Sequence, residues 1–175
     1  IKRARFLSTQ SKESAPHYEH REVGYNYRMS NVLAGIGRGQ LKVLNNRVKQ
    51  RREVQKKYKE GLASIEAIEW MPETQGDYSN CWLSVFSINP KKSEITPTML
   101  ISFLSDNGIE ARPTWKPLHI QPLFSDCKYF SEEDDSFCSY IFNTGVCLPS
   151  SSNISAINQK IVINKILQFF KNKVL

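Results

Sequence analysis

"VGYNYRMSNVLAGIGRGQL", residues 23–41, is where a polar loop turns into a long helical pattern. Ahead of it, "SKESAPHYEHREV" (11–23) is polar and aperiodic and reads as a loop. Within it, Ser30 stands where an N-cap is needed. After it, Val32, Leu33, Ile36, Leu41, Leu44, Val48, Val54, Tyr58 and Leu62 recur at helical spacing. The pattern predicts a helix of about 35 residues, long enough that a bend or break is expected. Gly35, Gly37 and Gly39 lie inside it. Each costs about 1 kcal/mol against Ala in a helix. Close approach of another backbone is the usual compensation. That backbone would be a second subunit, a larger domain, or another part of this chain.

Further along, "IEAIEWM" (65–71) and "NCWLSVFSIN" (80–89) have strand composition, with the loop "PETQGDYS" between them. Thr96 and Pro97 open a helix that Gly108 closes, with Met99, Leu100, Phe103 and Leu104 as its buried face. "IEARP" (109–113) is a short strand stopped by proline, and "TWKPLHIQPLF" (114–124) is an ordered loop. Ser131, with acids following it, opens another helix through Thr144. "GVCLP" (145–149) is a strand, and Ser155 caps a last helix with Ile157, Ile161, Ile166 and Phe169 or Phe170 inward. The element order predicts an α+β or open α/β domain with a small mixed or antiparallel sheet.

The whole 175-residue chain suits one domain with its own core. Its net charge of +7 invites an anionic partner. The cations concentrate in "NNRVKQRREVQKKYK" (45–59), interleaved with apolar residues as on a solvated helix face. Nucleic-acid binding is therefore the minor reading, because no stacking platform or recognition motif accompanies them. Cys81, Cys127, Cys138 and Cys147 form no CxxC pair, which argues against a zinc site and for reduced thiols. Cys127 and Cys138 have no evident basic partner for nucleophilic work. His17 and His20 have only Glu19 or Glu22 nearby, so solvent exposure is the simpler reading than metal. No apolar run reaches membrane-spanning length. The first residue is Ile, and no secretion signal is visible, so the chain reads as cut from a longer cytoplasmic protein.

Four segments, in order, carry a resemblance: "VGYNYRMSNVLAGIGRGQL", "RREVQKKYKEGL", "GIEARPTWKPLHIQPLF" and "CLPSSSNIS". They resemble the C-terminal portion of the sugar aminotransferases named after DegT, DnrJ, EryC1 and StrS, which are pyridoxal-phosphate enzymes of fold type I. "NCWLSVF", "RPTWKPLH" and "CLPS" look most like the branch that aminates nucleotide-linked 4-keto-6-deoxy-N-acetylhexosamines. The resemblance implies the small C-terminal domain of such an enzyme at 24–175, with 1–23 a remnant of the large domain. It implies pyridoxal 5'-phosphate as cofactor, a UDP-sugar and glutamate as substrates, and a homodimer. Nucleic acid and membrane are not expected partners.

By the same resemblance, Asn26 reaches the cofactor phosphate of the neighbouring subunit, and Arg28 assists there or pairs with a local carboxylate. His119 lines the sugar-nucleotide pocket, where Trp115 adds a stacking face for uracil, Lys116 a charge for pyrophosphate, and Arg112 a further contact. The plain alternatives are helix-capping loop residues at 26 and 28, a structural histidine and a core tryptophan. The family's Schiff-base lysine follows a serine and precedes a glycine-rich turn. Ser11-Lys12 is followed by no such turn. The reactive lysine is thus expected outside these residues, and the chain alone is expected neither to hold the cofactor stably nor to turn over. A non-catalytic binding module remains the rival class.

Overall fold

The computed structural model describes residues 1–131 and 137–173. The chain divides into two compact units, Ile1–Leu44 and Asn45–Leu175. The boundary falls inside one helix, and the boundary expected from sequence, at 23/24, lies within the first unit.

The first unit opens with α1 (Lys2–Ser8), a short helix that the sequence reading missed. Residues 9–27 run back along it. The backbone N–H of Tyr25 donates to Leu7 O at 2.7 Å, and that of Tyr27 to Ser8 O at 3.1 Å. Gly24 permits this return. A Cβ there would lie 2.1 Å from the Gln10 carbonyl carbon and 2.3 Å from Ser11 N. Then α2 (Asn31–Gly61) begins as predicted, with Leu33 N–H donating to Ser30 Oγ at 3.3 Å. The expected bend or break does not occur as an interruption, since the helix is continuous through all three glycines. Its first half buries none of the apolar residues that define its period; Val32, Leu33, Ile36, Leu41 and Leu44 are all exposed.

The second unit is a four-stranded sheet with helices. The strands are β1 (Ile68–Trp70), β2 (Ser84–Ile88), β3 (Arg112–Pro113) and β4 (Gly145–Leu148). Their spatial order is β1-β2-β4-β3, and every neighbouring pair is antiparallel, which settles the mixed-or-antiparallel alternative. Pro113 sits on an edge strand, where its missing N–H breaks no ladder. Phe86 pairs with Val146 across the central pair, and β2 alternates buried and half-buried residues.

One sheet face forms the core. Phe86, Ile88, Val146 and Leu148 meet Val54, Tyr58 and Leu62 from the α2 end, Leu100 and Leu104 from α3 (Pro97–Asp106), and Val162, Ile166, Phe169 and Phe170 from α5 (Ala156–Lys173). Cap chemistry sets the helix ends. Thr96 Oγ1 accepts from Met99 N at 3.3 Å, and Ser155 Oγ from Asn158 N at 3.1 Å. Gly108, at φ 71°, lets Ile109 N–H reach Leu104 O and its own N–H reach Ser105 O, both at 2.9 Å.

Three inward assignments fail. Met99 of α3 and Ile157 and Ile161 of α5 are exposed. Val162 and the half-buried Ile101 take inward positions instead. The helix α4 (Phe137–Thr144) leads directly into β4. Its expected start after Ser131, on the acids at 132–135, lies outside the described residues.

The expected solvated face of the basic run also needs correction at two positions. Arg51 and Arg52 are half-buried clips. The Arg51 guanidinium donates to Trp82 O and to Ser150 O, the latter at 3.1 Å. Arg52 holds Glu73 at 2.7 and 3.0 Å, donates to Ser79 O, and covers the Tyr78 ring at 4.1 Å.

Candidate functional site

In the first unit, the segment 24–30 carries Asn26 and Arg28. Asn26 is fixed through its backbone by an antiparallel bridge to Thr9. Tyr25 and Tyr27 stack on each other at 5.0 Å. The Asn26 amide and the Arg28 guanidinium are exposed, and among the described residues neither has a side-chain hydrogen-bond or ion-pair partner. Two donors of a kind that suits phosphate are thus held on ordered backbone and left available.

The neighbouring polar groups are engaged. His17 pairs with Glu19 at 3.3 Å, and His20 donates from Nδ1 to Gln10 O at 2.9 Å. Lys12 places its ammonium 4.1 Å from the Tyr18 ring centroid. No cluster of three metal-ligating side chains occurs among the described residues.

In the second unit, residues 112–124 leave the edge strand and close into two 3-10 turns, Leu118–Ile120 and Pro122–Phe124. Thr114 anchors the start, donating from Oγ1 to Ile141 O at 2.8 Å. Gly145 makes room for it: a Cβ there would stand 2.5 Å from Thr114 Cγ2. His119 is half-buried. Its Nε2 lies 3.0 Å from Ser139 Oγ, and its ring stacks on Tyr129 at 4.0 Å. Lys116 is exposed, while its backbone carbonyl accepts from Gln121 Nε2 at 3.2 Å.

Arg112 and Trp115 share a different place from His119. They line an open cleft of about 770 Å³ together with Trp82, Leu148, Ile154 and Ile161. Trp115 is not a core residue: it is 64% exposed and stacks on Trp82 at 5.8 Å with 23° between the rings. The Arg112 guanidinium pairs with Glu110 beside it. Lys116 and His119 do not line the cleft. The structure therefore joins Arg112 to Trp115 and sets His119 apart in an aromatic niche with Tyr129. Sequence reasoning missed Trp82 as a site residue. Its ring reaches Trp115 through a backbone path that passes Cys81 at φ 49°, which a strand pattern does not foretell.

Two shifted groups of this unit serve structure. The Arg52 hydrogen bonds, with a 2.6 Å bond from Ser79 N–H, pull the Glu73 carboxyl down to about 2. Burial pushes the Cys147 thiol up, which makes it a poorer nucleophile. All four cysteines are free, with Cys81 and Cys147 buried.

Comparison with known proteins places these features in a family. Residues 1–167 match the DegT/DnrJ/EryC1/StrS aminotransferase family. The chain is 43% identical over 171 residues to EpsN of Bacillus subtilis (strain 168), provisionally named a pyridoxal phosphate-dependent aminotransferase. The match covers 97% of this chain and 43% of that protein. It is 28% identical over 165 residues to a GDP-perosamine synthase of Vibrio cholerae, covering 94% of this chain and 44% of the relative. Among solved structures, the aminotransferase TlmJ from Streptoalloteichus hindustanus superposes with a TM-score of 0.79 at 20% identity, over 99% of this chain and 45% of that one. PseC of Helicobacter pylori gives 0.77 at 16% identity, over 96% and 45%. The chain spans less than half the length of each of these proteins. By fold and by sequence, the chain belongs to the DegT/DnrJ/EryC1/StrS aminotransferase family.

Proposed function

We propose that this chain is the C-terminal part of a pyridoxal-phosphate-dependent aminotransferase acting on a nucleotide-linked 4-keto-6-deoxy sugar. Glutamate would be the amino donor, and the setting would be cytoplasmic amino-sugar synthesis for surface polysaccharide. The observation that carries this reading is the family match across residues 1–167, with relatives named as aminotransferases and as a GDP-perosamine synthase. No helix among the described residues is long and apolar enough to cross a membrane.

The residues at 26–28 fit the phosphate of the cofactor: an amide and a guanidinium, exposed and unengaged, on backbone bridged to Thr9. Asn26 would hold that phosphate across a homodimer, and Arg28 would add positive charge beside it. Pyridoxal phosphate, when bound, supplies the electron sink that amino transfer needs. The lysine that anchors it would come from outside these 175 residues, since Ser11-Lys12 is followed by no glycine-rich turn. His119, oriented by Ser139 and Tyr129, would present a fixed imidazole to the sugar. Trp115 would stack on the base, while Arg112 and Lys116 would face the diphosphate charge.

The test mixes pyridoxal phosphate with this chain and with a longer protein that includes the preceding region. A visible, borohydride-reducible band in the longer protein alone is the expected result. A reducible adduct on a lysine of the 175-residue chain would overturn the placement of the lysine. A band in neither would overturn the aminotransferase reading and favour a binding module. In the longer protein, Asn26→Ala should weaken cofactor binding about tenfold or more, the cost of one hydrogen bond to a charged group, as read by titration of that band.

A further inference from the structure

The two exposed tryptophans at the cleft carry more than the proposed function has used. Trp82 is 58% exposed and Trp115 64%, yet their rings lie 5.8 Å apart and nearly parallel. Neither belongs to the core cluster. Trp70, the third tryptophan, by contrast packs edge-on against Phe86 beside the core. A pair of large indoles left open to water, side by side, is a surface kept for a flat partner. One cation lines the same cleft, Arg112, paired there with Glu110.

Trp82 is also held with unusual care for an exposed residue. The Arg51 guanidinium donates to its carbonyl, and the same nitrogen donates to Ser150 O at 3.1 Å. Trp82 N–H donates to Asn80 Oδ1 at 3.0 Å. Ser150 is fixed in turn, since its Oγ accepts from Ser84 N at 2.7 Å and donates to Leu148 O at 2.7 Å. Half-buried Arg51 of α2 hence ties the backbone at Trp82 to the backbone at Ser150, two residues of the cleft lining.

We infer that Trp82 is a substrate-contacting residue which, with Trp115, forms the stacking face for the base of a nucleoside diphosphate, and that Arg51 is the positioning residue that sets this face. The inference rests on the reading that residues 112–119 meet a nucleotide sugar, and deepens it. Stacking tolerates any base because every base has a π-face, so the aromatic pair confers affinity and the rest of the site confers choice.

The experiment follows tryptophan fluorescence of the 175-residue chain on titration with uridine diphosphate, uridine and inorganic pyrophosphate. Saturable quenching by uridine diphosphate and by uridine, with none from pyrophosphate, is expected. Trp82→Ala should weaken uridine diphosphate binding at least about tenfold, and Trp82→Phe should hold it within a few-fold. Arg51→Ala should weaken it several-fold and diminish the exciton signal of the stacked indoles in circular dichroism, while helix content stays unchanged. Arg51→Lys, which keeps a donor and the charge, should restore part of both. Unchanged affinity in Trp82→Ala, equal binding of pyrophosphate alone, or no quenching by uridine diphosphate would each overturn the inference. The cofactor band of the longer protein separates this from the parent reading. A band together with an unchanged KM for nucleotide sugar in Trp82→Ala leaves the aminotransferase standing without the platform. Trp82-dependent binding with no cofactor band leaves the platform standing without the aminotransferase.

Discussion

At the scale of single residues, three contacts decide local behaviour. Gly24 has no room for a side chain, because a Cβ would fall 2.1 Å from backbone carbon at Gln10. Gly24→Ala should cost about 2–3 kcal/mol or more in the first unit, seen as faster proteolysis within residues 9–26. Tyr58 is fully buried and donates to Pro149 O at 2.9 Å, so Tyr58→Phe should cost about 1 kcal/mol in denaturant unfolding. Glu73 titrates near 2 in the folded chain against an ordinary 4.5. A depressed carboxylate contributes stability that is full above the ordinary value and is lost as pH falls through the folded one. Glu73→Gln should therefore lower stability at neutral pH and flatten its fall between about pH 4.5 and 2, measured by urea midpoints across that range. The caps at Ser30, Thr96 and Ser155 were legible in sequence because each is a local bond spanning three residues. The Arg51 and Arg52 clips were not, because their partners stand between 21 and 99 residues away.

At the scale of elements, α2 is the one that sequence and structure describe most differently. Its apolar period continues through residues 32–62, but burial begins only at Val54. Beyond the helix's own backbone, no atom among the described residues lies within 4 Å of a Cβ placed on Gly35, Gly37 or Gly39. In isolation, Ala at each should stabilise the helix by up to about 1 kcal/mol, seen as a raised thermal midpoint. If the glycines serve the backbone of another subunit, the triple Ala variant should at the same time lose self-association in sedimentation. The strands read at 65–71 and 109–113 are present as β1 and β3, shortened to three and two residues where ladder pairing with β2 and β4 sets their limits. Met99 and Ile161 fit an inward helical stripe by spacing, yet both are exposed, and Ile161 lines the cleft instead.

At the scale of the whole molecule, the exposed apolar residues are the main feature. Leu33, Ile36 and Leu41 on α2 form one set, and Leu123, Phe130 and Phe137 of the second unit are exposed as well. Surfaces of this kind are expected to be covered in a working protein. A homodimer accounts for the first set within the proposed function. Leu33→Glu with Ile36→Lys should then shift sedimentation toward monomer without unfolding the second unit, whose core residues these substitutions do not touch. The net charge of +7, which suggested an anionic partner, resolves partly into inward clips at Arg51 and Arg52 and into ion pairs such as Lys56–Glu60.

The family, the helices α2, α3 and α5, their caps and the glycine stop at 108 were determined by sequence alone, because each depends on local periodicity, short-range bonds or a motif in continuous chain, whereas α1 was not. The tertiary structure decided which half of α2 is buried, that all strand pairs are antiparallel, and that Arg112 and Trp115 meet Trp82 while His119 meets Tyr129. The physical reason is distance along the chain. Trp82 and Trp115 lie next to β2 and β3, which the sheet places on either side of β4, and no local pattern records a contact of that range.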